Sequence, residues 1–364
     1  MNNDTELGFI TMFSGKLFSK SGHNENYFNL GGPRSFHKFT LQGTNIILIG
    51  EDHERMPNEL ATQYMKMFNH FIERNEAVKL FLETTGEDKK SSSKGLSFLD
   101  CMQHLDHSKK LAIFHVDKRY YDDPFGNFFF FLNKLAELEG TIIAKYKEKR
   151  IKPPSPTPFF NTPEFLDSVN QLSQLYNKNF CLLDLYKLLE SQLKILEGLV
   201  QKYAEENKQL ADYLTACLLE VNDALGLALK LEEEYRSMNG LSDKIQNCSL
   251  IDICIKMMTH QGSFSPAVEW LQIYNLYETS FLDATLICDL WEAIKNGGEN
   301  KSTFILVFGD KHIERLSNFL KIIATEEISI KANKDGKVIP PKFMEEYLND
   351  HFEHAPSENN CVLM

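Results

Sequence analysis

The sequence predicts an α/β fold: a mostly parallel, mixed sheet with flanking helices and a large all-helical insertion or cap. Three observations carry this expectation. Over residues 31–150, short apolar runs alternate with segments of helical period. From 164 to 296 the chain is Leu-rich with interleaved charges, the pattern of a helical hairpin or small bundle. The strand–turn–helix pattern then returns in "STFILVFGDKHIERLSNFLKII". A lone strand–helix unit cannot bury its apolar faces, so this late piece is expected to rejoin the early strands.

Taken in order, residues 1–30 are polar and Asn-rich and are expected to be loosely ordered. "SFHKFTLQGTNIILIG" reads as a β-hairpin turning at "QGTN". "NELATQYMKMFNHFIERNE" places Leu60, Tyr64, Met67, Phe68, Phe71 and Ile72 on one helical face. "AVKLFLET" is a strand ending at Glu83, "LSFLDCMQHLDH" a helix and "KLAIFHVDKR" a strand. Thus 31–150 forms the first part of the α/β domain. "IKPPSPTPFFNTP" (151–163), with five prolines, is a stiff linker. Residues 164–296 form the helical insertion, 297–342 the last part of the α/β domain, and 343–364 a flexible tail.

Composition narrows the partners. The chain has 364 residues, 43% of them hydrophobic, so a sizeable core is expected. A formal net charge of -12 argues against nucleic acid, whose phosphates demand a surplus of Lys and Arg. The seven cysteines contain no CxxC pair and mostly sit in apolar helical contexts, which reads as reduced thiols in a cytosol-like compartment. The start lacks a basic n-region followed by an apolar h-region, so no classical signal peptide is expected.

The chemistry gathers where strands end. One strand ends in "GEDH", one in "FLET" and the late one in "FGDKH". In open α/β sheets, ligands bind outside the carboxyl ends of the strands. If the three strands are parallel neighbours, Glu51, His53, Glu83, Asp310 and His312 converge on one edge, although their segments lie about 260 positions apart. Two imidazoles and a carboxylate make a common catalytic zinc shell with a position left open for water. His53, Glu83 and His312 are therefore the expected metal ligands, for zinc, manganese or cobalt. Glu51 or Asp310 is the expected general base or ring-orienting carboxylate. Gly50 and Gly309 are expected to let the backbone turn sharply beside the ligand.

The same stretches, "IILIGEDHERMP", "LFLET" and "ILVFGDKHIERL", resemble the superfamily of ChaN-like haem-binding proteins, erythromycin-esterase-type hydrolases and TraB/Tiki-type metalloproteases. That group is similar in its early G-E-x-H or G-x-x-H after a strand, a Glu ending the next strand, and a late G-x-x-H. The resemblance implies functional roles for Glu51, His53, Glu83 and His312, and it places Arg119 where some members carry an Arg. It covers two short pieces; the helical middle does not match, so it implies no substrate.

Other candidates rank lower. His115, inside an apolar strand, reads as a core histidine; His104 and His107 as surface residues; His351 and His354 as solvated. Asp52 and Glu54 read as ordinary turn and helix-start residues. "NFFFFLNKL" (127–135) reads as buried helix packing.

Three functions follow as expectations. One is a metal-dependent hydrolase of a peptide or ester bond. A second is a haem- or iron-binding protein with Tyr120 or Tyr121 as partner to the histidines. The third is an inactive interaction protein that binds a protein partner through its helical insert.

The chain ends "SENNCVLM", a CaaX box whose final Met suggests farnesylation of Cys361 by a eukaryotic prenyltransferase. Residues 343–360 contain no Lys or Arg to reinforce a single lipid, so transient or partner-assisted attachment to the cytosolic face of a membrane is expected. Together with the bacterial flavour of the resembling families, this suggests an effector acting in a host cell, with a eukaryotic protein carrying an old hydrolase domain as the alternative. A Cys361→Ser chain expressed in eukaryotic cells is expected to lose membrane association; unchanged association by fractionation would reject the CaaX reading.

Overall fold

The computed structural model of the chain describes residues 31–52, 54–84, 96–105, 109–116, 124–148, 162–176, 180–239, 245–296, 302–332 and 338–349. The Asn-rich start, most of the Pro-rich linker and the CaaX box lie outside the described residues.

Strands β1 (Pro33–Leu41) and β2 (Thr44–Glu51) form the expected antiparallel hairpin. Its two-residue loop has positive φ at both Gln42 (52°) and Gly43 (78°), the primed-turn geometry that matches strand twist. A two-residue strand, β3 (Arg55–Met56), leads through Pro57 into α1 (Asn58–Arg74). The expected helical stripe is present: Tyr64, Met67, Phe68, Phe71 and Ile72 are buried. β4 (Ala77–Leu82) follows. β5 (Leu96–Ser97) pairs with β3 and runs into α2 (Phe98–Gln103), whose start is closed by a reciprocal Ser97–Asp100 capping box. β6 (Leu111–His115) completes the first part.

The middle of the chain is helical, as expected. Its elements are α3 (Pro124–Glu148), α4 (Pro163–Gln174), α5 (Leu182–Ala204), α6 (Lys208–Asn239), α7 (Leu250–Gln261) and α8 (Ser265–Lys295). Local signals set several boundaries. Pro163 opens α4 behind the Thr162 cap, and Gly262 ends α7 in the left-handed conformation at φ 61°. No helix among the described residues is long and apolar enough to cross a membrane. The chain then returns through β7 (Ser302–Gly309), α9 (Asp310–Ile323), β8 (Thr325–Lys331) and α10 (Pro341–Leu348).

Among the described residues, six strands form one mixed sheet in the order β6-β4-β7-β2-β1-β8. β6, β4, β7 and β2 are mutually parallel, and β1 and β8 are antiparallel additions at one edge. The late strand β7 thus lies in the middle, between β2 and β4. Its "TFILVF" run is buried on both faces, which explains a continuous apolar stretch instead of an alternating one. Strand alternation puts Ile47, Ile49, Val78, Leu80, Leu82, Ile305 and Val307 on one face, where α1, α2 and α10 cover them. Ile46, Leu48, Phe304, Leu306 and Phe308 point to the other face, against α9 with its buried Ile313, Leu316, Phe319 and Leu320. Each such side chain contributes about 1.5–3 kcal/mol by leaving water.

The described residues divide into two compact units. Among the described residues, one contains α3, α4, α7 and most of α5, α6 and α8; the other contains the strands, α1, α2, α9 and α10, with the beginning of α6 and the end of α8. Long helices pass from one unit into the other without a break, which no linker composition announces. The tail begins later than position 343. "PKFMEEYL" is helix α10, and Met344, Tyr347 and Leu348, spaced for one helical face, belong to the sheet's core. Tyr64 secures the approach by donating its hydroxyl to the Ile339 carbonyl.

The helical unit has an aromatic core of its own. Phe128 meets Trp270 edge-on at 5.8 Å and Phe129 stacks on Tyr274 at 4.0 Å, but Phe130 is exposed, because one face of a helix through "NFFFF" must point away from the core. Tyr186 donates to Glu232 at 2.6 Å. Burial and that carboxylate together hold the Tyr186 proton well above the ordinary phenol range.

At the β1–β8 edge, His37 is buried between strands, with Nδ1 3.0 Å from Ser329 Oγ and 3.5 Å from Glu326 Oε1. Burial lowers its pKa below the ordinary 6.5 despite Glu326. The unfolded chain therefore binds a proton more readily than the fold does. Stability is expected to fall as pH drops from 6.5 toward the lowered folded value, and to level off below it. Urea melts across this window check the slope, which a His37→Asn chain should flatten.

Candidate functional site

The expected convergence rests on β2, β7 and β4 being parallel neighbours, and they are. Glu51 is in register with Gly309, Leu82 with Val307, and the Glu83 N–H donates to the Val307 carbonyl at 3.1 Å. Three strand ends that carry the sequence motifs therefore share one edge. β7 ends at Gly309 and α9 begins at Asp310, so His312 stands in the first turn of that helix, directly over the edge. His53 lies outside the described residues.

Glu83 and His312 come together. Glu83 Oε2 accepts from the Gly309 N–H at 2.6 Å, at the helix N-terminus, where the backbone dipoles favour a carboxylate. Its Oε1 lies 3.6 Å from His312 Nε2. Both residues are only 6% exposed. On the far side of the ring, Nδ1 is 2.6 Å from Asp283 Oδ1, and Arg315 Nε donates to Asp283 Oδ2 at 2.5 Å. His312 and Arg315 are three apart on α9 and so share a face. Phe308 borders the ring edge-on, with centroids 6.3 Å apart.

Glu83 and His312 are both buried and offer ligand atoms that could hold a metal ion. For Glu83 and His312 the donor set fits: two ligand atoms about 2.1 Å from zinc at a tetrahedral angle stand about 3.4 Å apart, close to the 3.6 Å seen between them. That separation is also too long for a hydrogen bond between them.

Glu51 is not brought to this cluster. Strand alternation turns it to the face of Ile47 and Ile49, where Oε2 accepts from the Leu99 N–H at 3.2 Å, near the start of α2. Asp52 behaves as the turn residue it was expected to be: it pairs with Arg34 and accepts from the Glu54 N–H. Gly50 and Gly309 make no sharp turn. Gly50 lies within β2, and Gly309 precedes α9 at φ -54°. The bare Cα of Gly50 serves another purpose. A Cβ there would collide with Ser35 Oγ and Asp310 Oδ1, which hydrogen-bond to each other across it. Asp310 thus lies on the α9 face of the sheet.

Among the other expected histidines, His104 is exposed at the end of α2, as anticipated. His115 is not a core residue. It ends the edge strand β6, is exposed, and bonds Thr84 Oγ1 through Nδ1 at 2.6 Å. An edge strand has one open side, which its apolar sequence does not disclose. His107, Arg119, Tyr120, Tyr121, His351 and His354 lie outside the described residues. Asp283 and Arg315 were not anticipated. The one signal available for Asp283 was a lone acid in the apolar helical stretch "SFLDATLI".

Gly50→Ala is expected to break the Ser35–Asp310 bond and to destabilise the chain by about 1–3 kcal/mol. Urea denaturation measures this, and the loss should shrink when Ser35→Ala has already removed the bond.

No family model, no curated protein and no solved structure matches the chain.

Proposed function

We propose that the chain is a metal-dependent hydrolase of a peptide or ester bond, with Glu83 and His312 holding a divalent ion. The observation that carries this is the 3.6 Å approach of His312 Nε2 to Glu83 Oε1, two buried ligand atoms spaced for a shared ion. The resemblance to esterase-type and Tiki-type proteins points the same way and adds His53 as a further ligand. A bound ion would supply an activated water and polarise the scissile carbonyl.

The chain's own groups then divide the work. Gly309 fixes one oxygen of Glu83 and leaves the other turned toward His312. Asp283 holds the opposite side of the His312 ring. With Glu51 engaged by α2, Asp310 is the carboxylate that this reading assigns to proton transfer; Ser35 orients it. A farnesyl group on Cys361 would keep the enzyme near a membrane of a eukaryotic, possibly host, cell and so limit its substrates to that surface.

Elemental analysis of the purified full-length chain tests the proposal. About one zinc, manganese or cobalt ion per chain is expected, absent from His312→Ala and reduced in Glu83→Gln, with circular dichroism unchanged. A folded wild-type chain that retains no ion and takes none up on titration would overturn it.

A further inference from the structure

Asp283 is wholly buried, yet it carries a carboxylate in an apolar stretch of α8. Such a group persists only where hydrogen bonds and a counter-charge replace its hydration. Arg315 supplies the charge through Nε at 2.5 Å, and His312 Nδ1 lies 2.6 Å from the other oxygen. An ionised carboxylate has no proton to donate, so the proton of the His312–Asp283 bond sits on Nδ1. The neutral ring then carries its lone pair on Nε2, the atom that faces Glu83.

We infer that Asp283, clamped by Arg315, is a positioning residue that fixes His312 in its Nδ1–H tautomer and prepares Nε2 as a ligand for a divalent ion beside Glu83. This rests on the metal-holding role proposed for Glu83 and His312. A plain buried ion pair would need only Arg315 and Asp283. Here the carboxylate also engages an imidazole, and the second nitrogen of that imidazole is aimed at another buried carboxylate instead of at solvent. Carboxylates behind ligating histidines act in this way elsewhere: they set the tautomer and ring orientation and strengthen the ligand.

The test reads the tautomer directly. Long-range ¹H–¹⁵N spectra of the metal-free, full-length chain at mildly alkaline pH report which His312 nitrogen carries the proton, with assignment by His312→Gln. Zinc affinity is then measured by competition with a chromophoric chelator. The wild-type ring should be protonated at Nδ1. Asp283→Asn can donate its amide to Nδ1; it should move the proton to Nε2 and weaken zinc binding about 10- to 100-fold. Arg315→Lys, which keeps the charge, should retain the wild-type tautomer. An Nε2–H ring in the wild type overturns the inference, and this measurement needs no variant of Asp283. So does an Asp283→Asn chain with unchanged tautomer and unchanged zinc affinity. A tautomer shift in a protein whose wild type binds no zinc would support the positioning by Asp283 and overturn the metal reading instead.

Discussion

Both edges of β7 must be satisfied at once. As the central strand it hydrogen-bonds to β2 on one side and β4 on the other, in parallel register with each. An unpaired, buried strand edge is costly, so a segment that begins at Ser302 has to enter the sheet between strands completed more than two hundred residues earlier. That one requirement brings the ends of three strands to a common edge. It also makes the whole helical stretch an excursion between two strands of a single sheet. Because α9 starts at Asp310 with no intervening loop, the same pairing delivers His312 to the edge in its first turn.

The two-residue period of the strands then sorts what the pairing has gathered. Gly50 and Glu51 are adjacent in sequence but point to opposite faces. Gly50 makes room for the Ser35–Asp310 bond beneath α9, while Glu51 turns to α2 and accepts from the Leu99 N–H. Glu83 lies on the side where α9 begins, because Leu82 before it packs into the opposite core. The edge is therefore two environments back to back. One is a helix-capping carboxylate; the other is a chain of contacts running from the half-buried Arg315 through the buried Asp283 and His312 to Glu83. Only the second has a nitrogen and a carboxylate oxygen held at ligand spacing with their other atoms already engaged. Such prior engagement makes a metal site selective, because the donors need little reorganisation.

Much of the fold was legible in the residues. The Gln-Gly turn, the stripe from Tyr64 to Ile72, the uniformly apolar "TFILVF" and the Leu-rich middle each express a local rule of period, turn chemistry or burial. The pairing of Glu83 with His312 was legible for the same reason: each follows an apolar strand directly, and strand ends of a parallel sheet collect on one side. Helix α10 was less visible. Its stripe of Met344, Tyr347 and Leu348 spans barely two turns and follows a polar, Pro-containing segment, so its burial depends on the groove beside α1 that receives it.

By itself, then, the sequence determined the element types, the parallel α/β class and the candidates Glu83 and His312, because these follow from interactions between near neighbours in the chain. The tertiary structure decided the rest. It assigned Glu51 to α2, because the face a strand residue takes is settled by register with its partners. It placed His115 at an open edge, because strand order is a property of the whole sheet. And it brought Asp283 and Arg315 behind His312, because a contact between two helices separated in the chain by a strand leaves no periodic trace in either one.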